Sequence, residues 1–499
     1  MSSRTKNSAR NMVVAWAMQI ASILMSFVSR TVFIKLLPPE YLGLSTVFSN
    51  VLSVLSLSEL GIGTAIIANL YKPIVDDDKP QIRKLMTFYS SAYKVIGGFV
   101  LTCGVVLMPF IPYICKTEVE IEGLHFYFLL FVIQSASSYF FSYRRSLITA
   151  YQQEYICSLV SQASTILSHL SQMGILLLTK NYTLYLIVGI IFNLLNNAFI
   201  YWFSGRKFPF LKGHNKEKLP KSERKNLFKD VRSVMVLKVG RVVVDSTDNI
   251  LISSFLGLIW SGLYSNYLLL ITSINQFVTI IFNATSASIG NYYASHNRDD
   301  NYILFKNMQS MAHWVYGFCA ICFAVLFQPF ISLWIGDDYL LDYPTVLIIV
   351  LNFYVAGIIK MPDCFASVAK LFSKTRKKAI ATAGINLIAS LILMRFFGLA
   401  GVFLGTLAGQ LAAGLWLDAY YLYKEFDKKL WRFFAYEGIN LIFTCVVGCI
   451  TYYVASFTEN FILKVIVCLV VPGIMYFVFN FKRPEFAFFK ERIFSLIKR

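Results

Sequence analysis

Residues 231–256 read VRSVMVLKVGRVVVDSTDNILISSFL, an apolar run long enough to cross a bilayer that nevertheless contains Lys238, Arg241, Asp245 and Asp248. In a helix turning 100° per residue, spacings of three, four and three place the four charges within an arc of about 80°. The rest of the turn is Val, Leu and Ile. A charge at the centre of a membrane helix costs roughly 2.5–3.5 kcal/mol on insertion scales, so four of them on a lipid-facing surface would be hard to insert. They must face protein or water. Two arrangements satisfy that: structural ion pairs locking the helix to its neighbours, or the wall of a polar cavity. The stripe spans about 15 Å of depth at 1.5 Å per residue, which favours the cavity.

The surrounding chain has the composition of a membrane protein. Hydrophobic residues make up 57% and charged residues 15%, with a mean hydropathy of +0.60, far from the balance of a soluble globular protein. A window of about 19 residues finds fourteen apolar segments of membrane-spanning length. They cover residues 11–37, 41–71, 85–114, 122–143, 156–179, 182–203, 231–256, 260–290, 308–335, 341–370, 379–396, 399–424, 433–456 and 459–480. The expected fold class is an all-α polytopic membrane protein. The start, MSSRTKNSAR, is basic and runs into the first span without a small-residue cleavage site, which reads as a retained span and not a removed signal peptide.

A net charge of +19 raises the question of nucleic acid, and the distribution of that charge answers it. With the N-terminus cytoplasmic, the tails and the gaps on the same side hold 36 of the 46 Lys and Arg, ten of them within 204–232. The opposite connections contribute little beyond Lys116 and Lys180. The basic excess is therefore the signature of orientation, with both termini inside a cell membrane, and no nucleic-acid partner is implied. The sequence divides into a first lobe at 1–203, a basic cytoplasmic linker at 204–230, a second lobe at 231–424, a further helix pair at 433–480 and a cytoplasmic tail at 481–499. The linker is Lys-rich with few apolar residues, and its basic face suits anionic membrane lipids.

Little in the sequence points to catalysis or metal. Nine cysteines lie mostly within apolar spans and read as packing residues. His125, His169, His214, His296 and His313 show no ligand spacing, so no metal or cofactor is indicated. Asp76–Asp78, Asp299–Asp300 and Asp337–Asp338 fall in short loops and read as solvated turns, not as parts of a nucleotide site. A membrane polysaccharide polymerase or glycosyltransferase would also need a larger outer loop than LPPE at 37–40 or GDDYLLDY at 336–343 offers. Gly401, Gly405 and Gly409, at four-residue spacing, give a flat face for close helix packing. A faint internal echo pairs YLGLSTVFSNVLSVLS at 41–56 with SGLYSNYLLLITSINQ at 261–276. It suggests halves of like topology related by an axis along the membrane normal.

Several segments together resemble polysaccharide flippases (O-antigen, capsule or teichuronic type) of the multidrug, oligosaccharidyl-lipid and polysaccharide exporter superfamily. They are RTVFIKLLPPEYLGLSTVFS at 30–49, SLSELGIGTAI at 56–66, DSTDNILISSFLGLIWSGLYSNY at 245–267, LWIGDDYL at 333–340 and KMPDCFASVAKLFSKTRKKAIATAGINLIASLIL at 360–393. The resemblance implies two six-helix lobes in a V around a central cavity, an extra C-terminal helix pair, and alternating access. It also implies the cargo, an oligosaccharide on a polyprenyl diphosphate such as undecaprenyl diphosphate, turned from the inner to the outer leaflet alongside polysaccharide assembly proteins. A lipid-linked diphosphate needs cationic groups in a polar cleft, which nominates Arg30, Lys238, Arg241 and Lys360 for substrate. Arg30 lies close enough to the outer end to snorkel, and Lys94 also reads as a snorkelling residue. Glu59, Asp245 and Asp248 are the carboxylates that would couple transport to H+ or Na+, with Glu59 as partner to Arg30 the equal alternative. Lys360 and Asp363 flank Pro362, as a gate or as an end-of-helix kink with exposed charges. Within the same superfamily the alternative is a cation-coupled multidrug exporter, for which a more acidic cavity is expected.

Overall fold

The computed structural model describes residues 3–56, 62–116, 121–211, 219–220, 223–224, 227, 246–369, 371–481 and 483. All regular elements among these are helical. The chain forms two compact units, Met1–Gly262 and Leu263–Arg499. The first contains α1 (Ser3–Leu36), α2 (Pro39–Leu55), α3 (Ile62–Val75), α4 (Lys79–Leu107), α5 (Leu124–Ala150), α6 (Glu154–Thr179) and α7 (Tyr182–Lys207). A helical segment over 246–256 follows, ending in a π-type turn at Ile252–Leu256. Helix α8 (Leu258–Ser295) runs on into the second unit. That unit continues with α9 (Arg298–Ile335), α10 (Tyr343–Val368), α11 (Phe372–Gly409), α12 (Leu417–Glu425), α13 (Trp431–Ser456) and α14 (Phe461–Phe481).

Among the described residues, nine helical stretches are long and apolar enough to cross a membrane. Their outer surfaces are apolar too: Phe396 is 75% exposed, and Ile442 and Val478 are each 66% exposed. In water such surfaces would be a liability, but against lipid tails they match their surroundings. In the first unit α2 and α3 run in the same direction and the other successive helices alternate, so α1, α4 and α6 start on one face, here the N-face, where α3, α5 and α7 finish.

Short turns separate the spans, and a polar residue in several of them caps the helix that follows. Asp78 accepts from Gln81 N at 2.9 Å to start α4. Asn297 accepts from Asp300 N at 2.9 Å, placing Asp299 and Asp300 in the first turn of α9. Asp342 accepts from Thr345 N at 3.0 Å to start α10. Carboxylates and amides there satisfy N–H groups that have no partner within the helix, and negative charge is favoured at that end.

Glycines set the close crossings. A Cβ on Gly104 would fall 2.5 Å from Val132, so its absence lets α4 close on α5. Gly398, at φ 55°, reverses the chain inside α11. The returning strand of helix lays Gly401, Gly405 and Gly409 against the carbonyl of Leu393, the backbone of Ser390 and the carbonyl of Thr382. The glycine stripe is thus the seam of a hairpin between the spans at 379–396 and 399–424. Asn386 Nδ2 ties the seam to Thr406 Oγ1 at 2.7 Å, and Ser390 Oγ to the Val402 carbonyl at 3.0 Å. A second crossing joins the two echoed segments. A Cβ on Gly43 would lie 2.1 Å from the Leu258 carbonyl, and one on Gly262 would lie 3.0 Å from the Pro39 carbonyl. Each glycine faces the residue four positions before the other, so the start of α2 and the start of α8 cross reciprocally.

The linker is less solvated than its composition suggests. Phe208, Leu219 and Leu227 are each 5% exposed, packed with Ile82 and Leu85 of α4. Arg83 Nε donates to the Phe210 carbonyl at 2.6 Å, and Gln81 Nε2 to Glu223 at 2.9 Å. The described apolar residues of the linker therefore add to the core of the first unit, a contribution that average composition hides.

Candidate functional site

Of the seven charged residues expected to line the transport path, Arg30, Asp248 and Lys360 are placed. Glu59, Lys238, Arg241 and Asp245 lie outside the described residues.

Arg30 projects from α1 into the neighbourhood of Tyr185 on α7 and His169 on α6, both electrostatic neighbours of its guanidinium. His169 Nε2 lies 3.3 Å from Ser26 Oγ, one turn earlier on α1. Ser22 and Ser29 on the same helix are buried. Nearby, Gln162 Nε2 on α6 donates to Gln19 Oε1 at 2.9 Å. A polar seam therefore runs between α1 and α6, with the one cation at its far end from the N-face. Tyr182 and Tyr185, stacked at 6.1 Å, close that end, with Ser45 of α2 2.8 Å from the Tyr182 hydroxyl. The cation sits in a helix interface; its setting is not that of a side chain reaching along the surface toward head groups.

Asp248 is 7% exposed. Ser246, Asn249 and Ser253 in the same segment are also buried, exposed by 3%, 2% and 0%. Ser253 Oγ donates to the Ile114 carbonyl at 2.6 Å, and Ser261 Oγ to the Asn249 carbonyl at 3.3 Å. The segment is buried on most sides, Leu251 and Ile252 included, so Asp248 is withdrawn from the surface together with its apolar neighbours.

Lys360 leaves α10 toward two other helices. Its Nζ donates to Tyr316 Oη on α9 at 2.6 Å and to Asn275 Oδ1 on α8 at 3.4 Å. The ammonium also stands 5.0 Å from the centre of the Tyr316 ring. That ring is clamped where Gly357 leaves no Cβ, which would fall 2.1 Å from it. The cation is held by a phenol and an amide on a rigid platform.

Asp363, beyond Pro362, has a specific partner. It pairs with Lys378 of α11, which also contacts Asp418 Oδ2 of α12 at 2.5 Å. The side chains of Lys378, Asp363 and Asp418 are 13%, 33% and 4% exposed. One ammonium thus joins two carboxylates from three segments. Asp363 follows Pro362 inside α10, which continues to Val368, and Asp418 follows the π-type turn Gln410–Gly414. Neither Lys378 nor Asp418 was expected; an Asp inside the apolar span at 399–424 was the available signal.

A further buried pair was also missed. His313 of α9 and Glu437 of α13 are 2% and 6% exposed. Nε2 of His313 lies 3.0 Å from Glu437 Oε2, and Nδ1 lies 2.8 Å from the Tyr354 hydroxyl of α10. Gln309 Nε2 donates to Glu437 Oε1 at 2.9 Å and to the Ile358 carbonyl at 3.2 Å. This network binds α13 to α9 and α10. A lone Glu inside an apolar span was its only mark in the sequence. Among the described residues, no three His, Cys, Asp or Glu side chains group as metal ligands.

The sequence matches no protein-family model, and no curated protein matches it. Its fold has clear counterparts among solved structures. The lipid II flippase MurJ, in an inward closed conformation, superposes with a TM-score of 0.65 at 15% identity, over 94% of this chain and 99% of that one. A multidrug resistance MATE family transporter of the MOP superfamily, facing outward, gives 0.57 at 14% identity over 84% and 95%. A MOP superfamily transporter from Pyrococcus furiosus, whose binding pocket is described as of reverse polarity, gives 0.55 at 14% over 84% and 95%. The chain therefore has the fold of MOP superfamily transporters, an all-α multi-pass membrane architecture of about fourteen helices.

Proposed function

We propose that this protein is a flippase that carries polyprenyl-diphosphate-linked oligosaccharide from the inner to the outer leaflet of the cell membrane by alternating access. The observation that carries the reading is the extent of the structural likeness. It reaches 94% of the chain for the lipid II flippase and 84% for the MATE transporter. The difference, about a tenth of 499 residues, is close to the length of α13 and α14 together. Protein built to this extent on a lipid-carrier flippase plan suits a cargo with a long hydrocarbon tail. The chemistry agrees: guanidinium and ammonium groups at Arg30, Lys238, Arg241 and Lys360 are suited to supply charge-assisted hydrogen bonds to a diphosphate, Arg30 from α1 and Lys360 from α10. Glu59, Asp245 and Asp248 are the carboxylates proposed to take up H+ or Na+ as the cycle turns. We place the N-face in the cytoplasm because the Lys and Arg excess lies there. The lobes proposed for the cycle are 1–203 and 231–424.

Transbilayer movement of a polyprenyl-diphosphate oligosaccharide in vesicles holding the purified protein tests this. Movement is expected for the wild type and is expected to be lost in the Lys238→Ala/Arg241→Ala variant. Absence of movement, with efflux of small organic cations instead, would replace the reading with a cation-coupled multidrug exporter.

A further inference from the structure

The N-face ends of α5 and α7 form a cleft of about 490 Å³ lined by Arg144, Tyr201, Trp202, Gly205 and Arg206. None of these residues belongs to the path above. The Arg144 guanidinium lies 4.1 Å from the centre of the Tyr201 ring and 5.9 Å from that of Tyr143. Its hydrogen bonds to the two hydroxyls are long, both 3.4 Å. Arg206 stands 5.6 Å from the Trp202 ring. A Cβ on Gly205 would sit 3.1 Å from Arg144 Nη1, so glycine there leaves the room that the guanidinium occupies.

Stacking on an aromatic face orients a guanidinium without neutralising it, and most of its N–H donors stay available. Among the described residues, neither Arg144 nor Arg206 meets a carboxylate, whereas the adjacent Arg145 is paired with Glu154 at 2.6 Å. A comparable cleft on the second unit shows the contrast. It measures about 440 Å³ and is lined by Tyr420, Tyr423, Lys424, Asp427, Lys428, Lys429 and Leu430. There an aspartate is part of the lining, and Lys428 is paired with Asp299 at 2.8 Å. The first cleft holds two pre-oriented cations with no acid, beside Trp202, which is 54% exposed. It also lies at the ends of two membrane helices, the depth at which amphipathic aromatics meet lipid head groups.

We infer that the Arg144–Arg206 cleft binds a phosphate group carried on a lipid. Two arginine forks can grip a phosphate bidentately, and the exposed indole supplies an apolar wall for the first carbons of the attached chain. Two sources share this chemistry: an anionic phospholipid of the membrane, and the polyprenyl diphosphate of the cargo. Only the second rests on the flippase reading, so the site stands even if that reading fails.

Native mass spectrometry of the full chain in detergent, titrated separately with phosphatidylglycerol and with a C55 polyprenyl diphosphate lacking sugar, tests it. The Arg144→Gln/Arg206→Gln variant is expected to bind at least one probe about tenfold more weakly, the scale of losing hydrogen bonds to a charged group. Loss confined to phosphatidylglycerol identifies a membrane-lipid site; loss that includes the diphosphate identifies a docking point for cargo. Gly205→Val keeps both charges while crowding Arg144, and should weaken the same probe. Lys424→Gln, in the second cleft, should leave both affinities unchanged. Wild-type binding of both probes by the double variant and by Gly205→Val overturns the inference, as does an equal loss in Lys424→Gln, which would reduce the effect to bulk charge. Should the double variant prove misfolded by helix content, Arg144→Lys/Arg206→Lys takes its place, with weaker binding again expected from loss of the forks.

Discussion

Replacing Lys378 by Met isolates what a single buried ammonium does for three helical segments. In the wild type it faces Asp363 and Asp418, with Asp418 4% and Lys378 13% exposed. The substitution keeps most of the side chain's volume and leaves two carboxylates facing one another without a cation. Removing one partner of a buried pair costs about 3–5 kcal/mol, because the remaining charge is desolvated and uncompensated. Asp363 is 33% exposed, so water offsets part of that and the lower end of the range is expected. At about 2–4 °C per kcal/mol for a domain of this size, the apparent melting temperature should fall by roughly 6–12 °C. The partner experiment is Asp418→Asn. It leaves Lys378 matched to Asp363, and the amide oxygen can still accept from the ammonium, so the change should stay within about 1 kcal/mol. Thermal unfolding of the purified protein in detergent, followed by loss of the monodisperse chromatographic peak, reads both. A Lys378→Met protein melting within about 2 °C of wild type, or an Asp418→Asn protein as damaged as it, would refute the idea that this lysine holds the segments by charge.

Three further outcomes follow from other contacts. Gly43→Val drives a side chain toward the Leu258 carbonyl, 2.1 Å from the first added carbon, and should lower the yield of folded protein several-fold, whereas Gly98→Val, with nothing within 4 Å, should express normally. Glu437→Ala strips Gln309 Nε2 of a buried acceptor and removes the carboxylate beside His313, and should cost about 1–3 kcal/mol in the same melting assay, while Glu437→Gln, which keeps an acceptor oxygen, should cost less. Arg30→Ala and Lys360→Ala should each slow glycolipid movement in vesicles at least about tenfold with folded protein still recovered; unchanged rates in both would remove them from the path.

The sequence was informative wherever a physical constraint acts along the chain, and uninformative where it acts across it. Apolar length and the Lys and Arg asymmetry are one-dimensional quantities, so span positions could be read directly. Asp78 was legible as a turn residue because capping links a side chain to a backbone N–H only three positions away, that of Gln81, whereas Asp299 and Asp300, expected in a loop, lie in the first turn of α9. Lys378 was not legible as the partner of Asp363 and Asp418: the first lies fifteen residues away and the second forty. Nothing local distinguishes it from the basic residues just before it, which read as one run. Glu437 and His313 are separated by far more chain. Each alone could have been a satisfied polar residue, and only the meeting of α9 with α13 makes them a pair.

The echo between 41–56 and 261–276 shows how a weak linear signal becomes a physical one. Shared Gly-Leu and Ser-Asn pairs between two apolar helices arise readily by chance, since both are drawn from few residue types. The crossing adds a condition that chance similarity does not meet. Gly43 lies against Leu258, and Gly262 lies against Pro39. Both offsets are four residues, one helical turn, so exchanging the two segments maps the contact onto itself, as a local two-fold relation requires. Glycine is needed in both places for the same reason, backbone approaching backbone, and a bulky side chain at either position would separate both contacts at once. A Gly43→Val/Gly262→Val double variant should therefore lose no more folded protein than either single variant, because the first substitution already breaks the shared crossing. Additive losses would mean that the two glycines serve separate contacts and that the echo is only a likeness of composition.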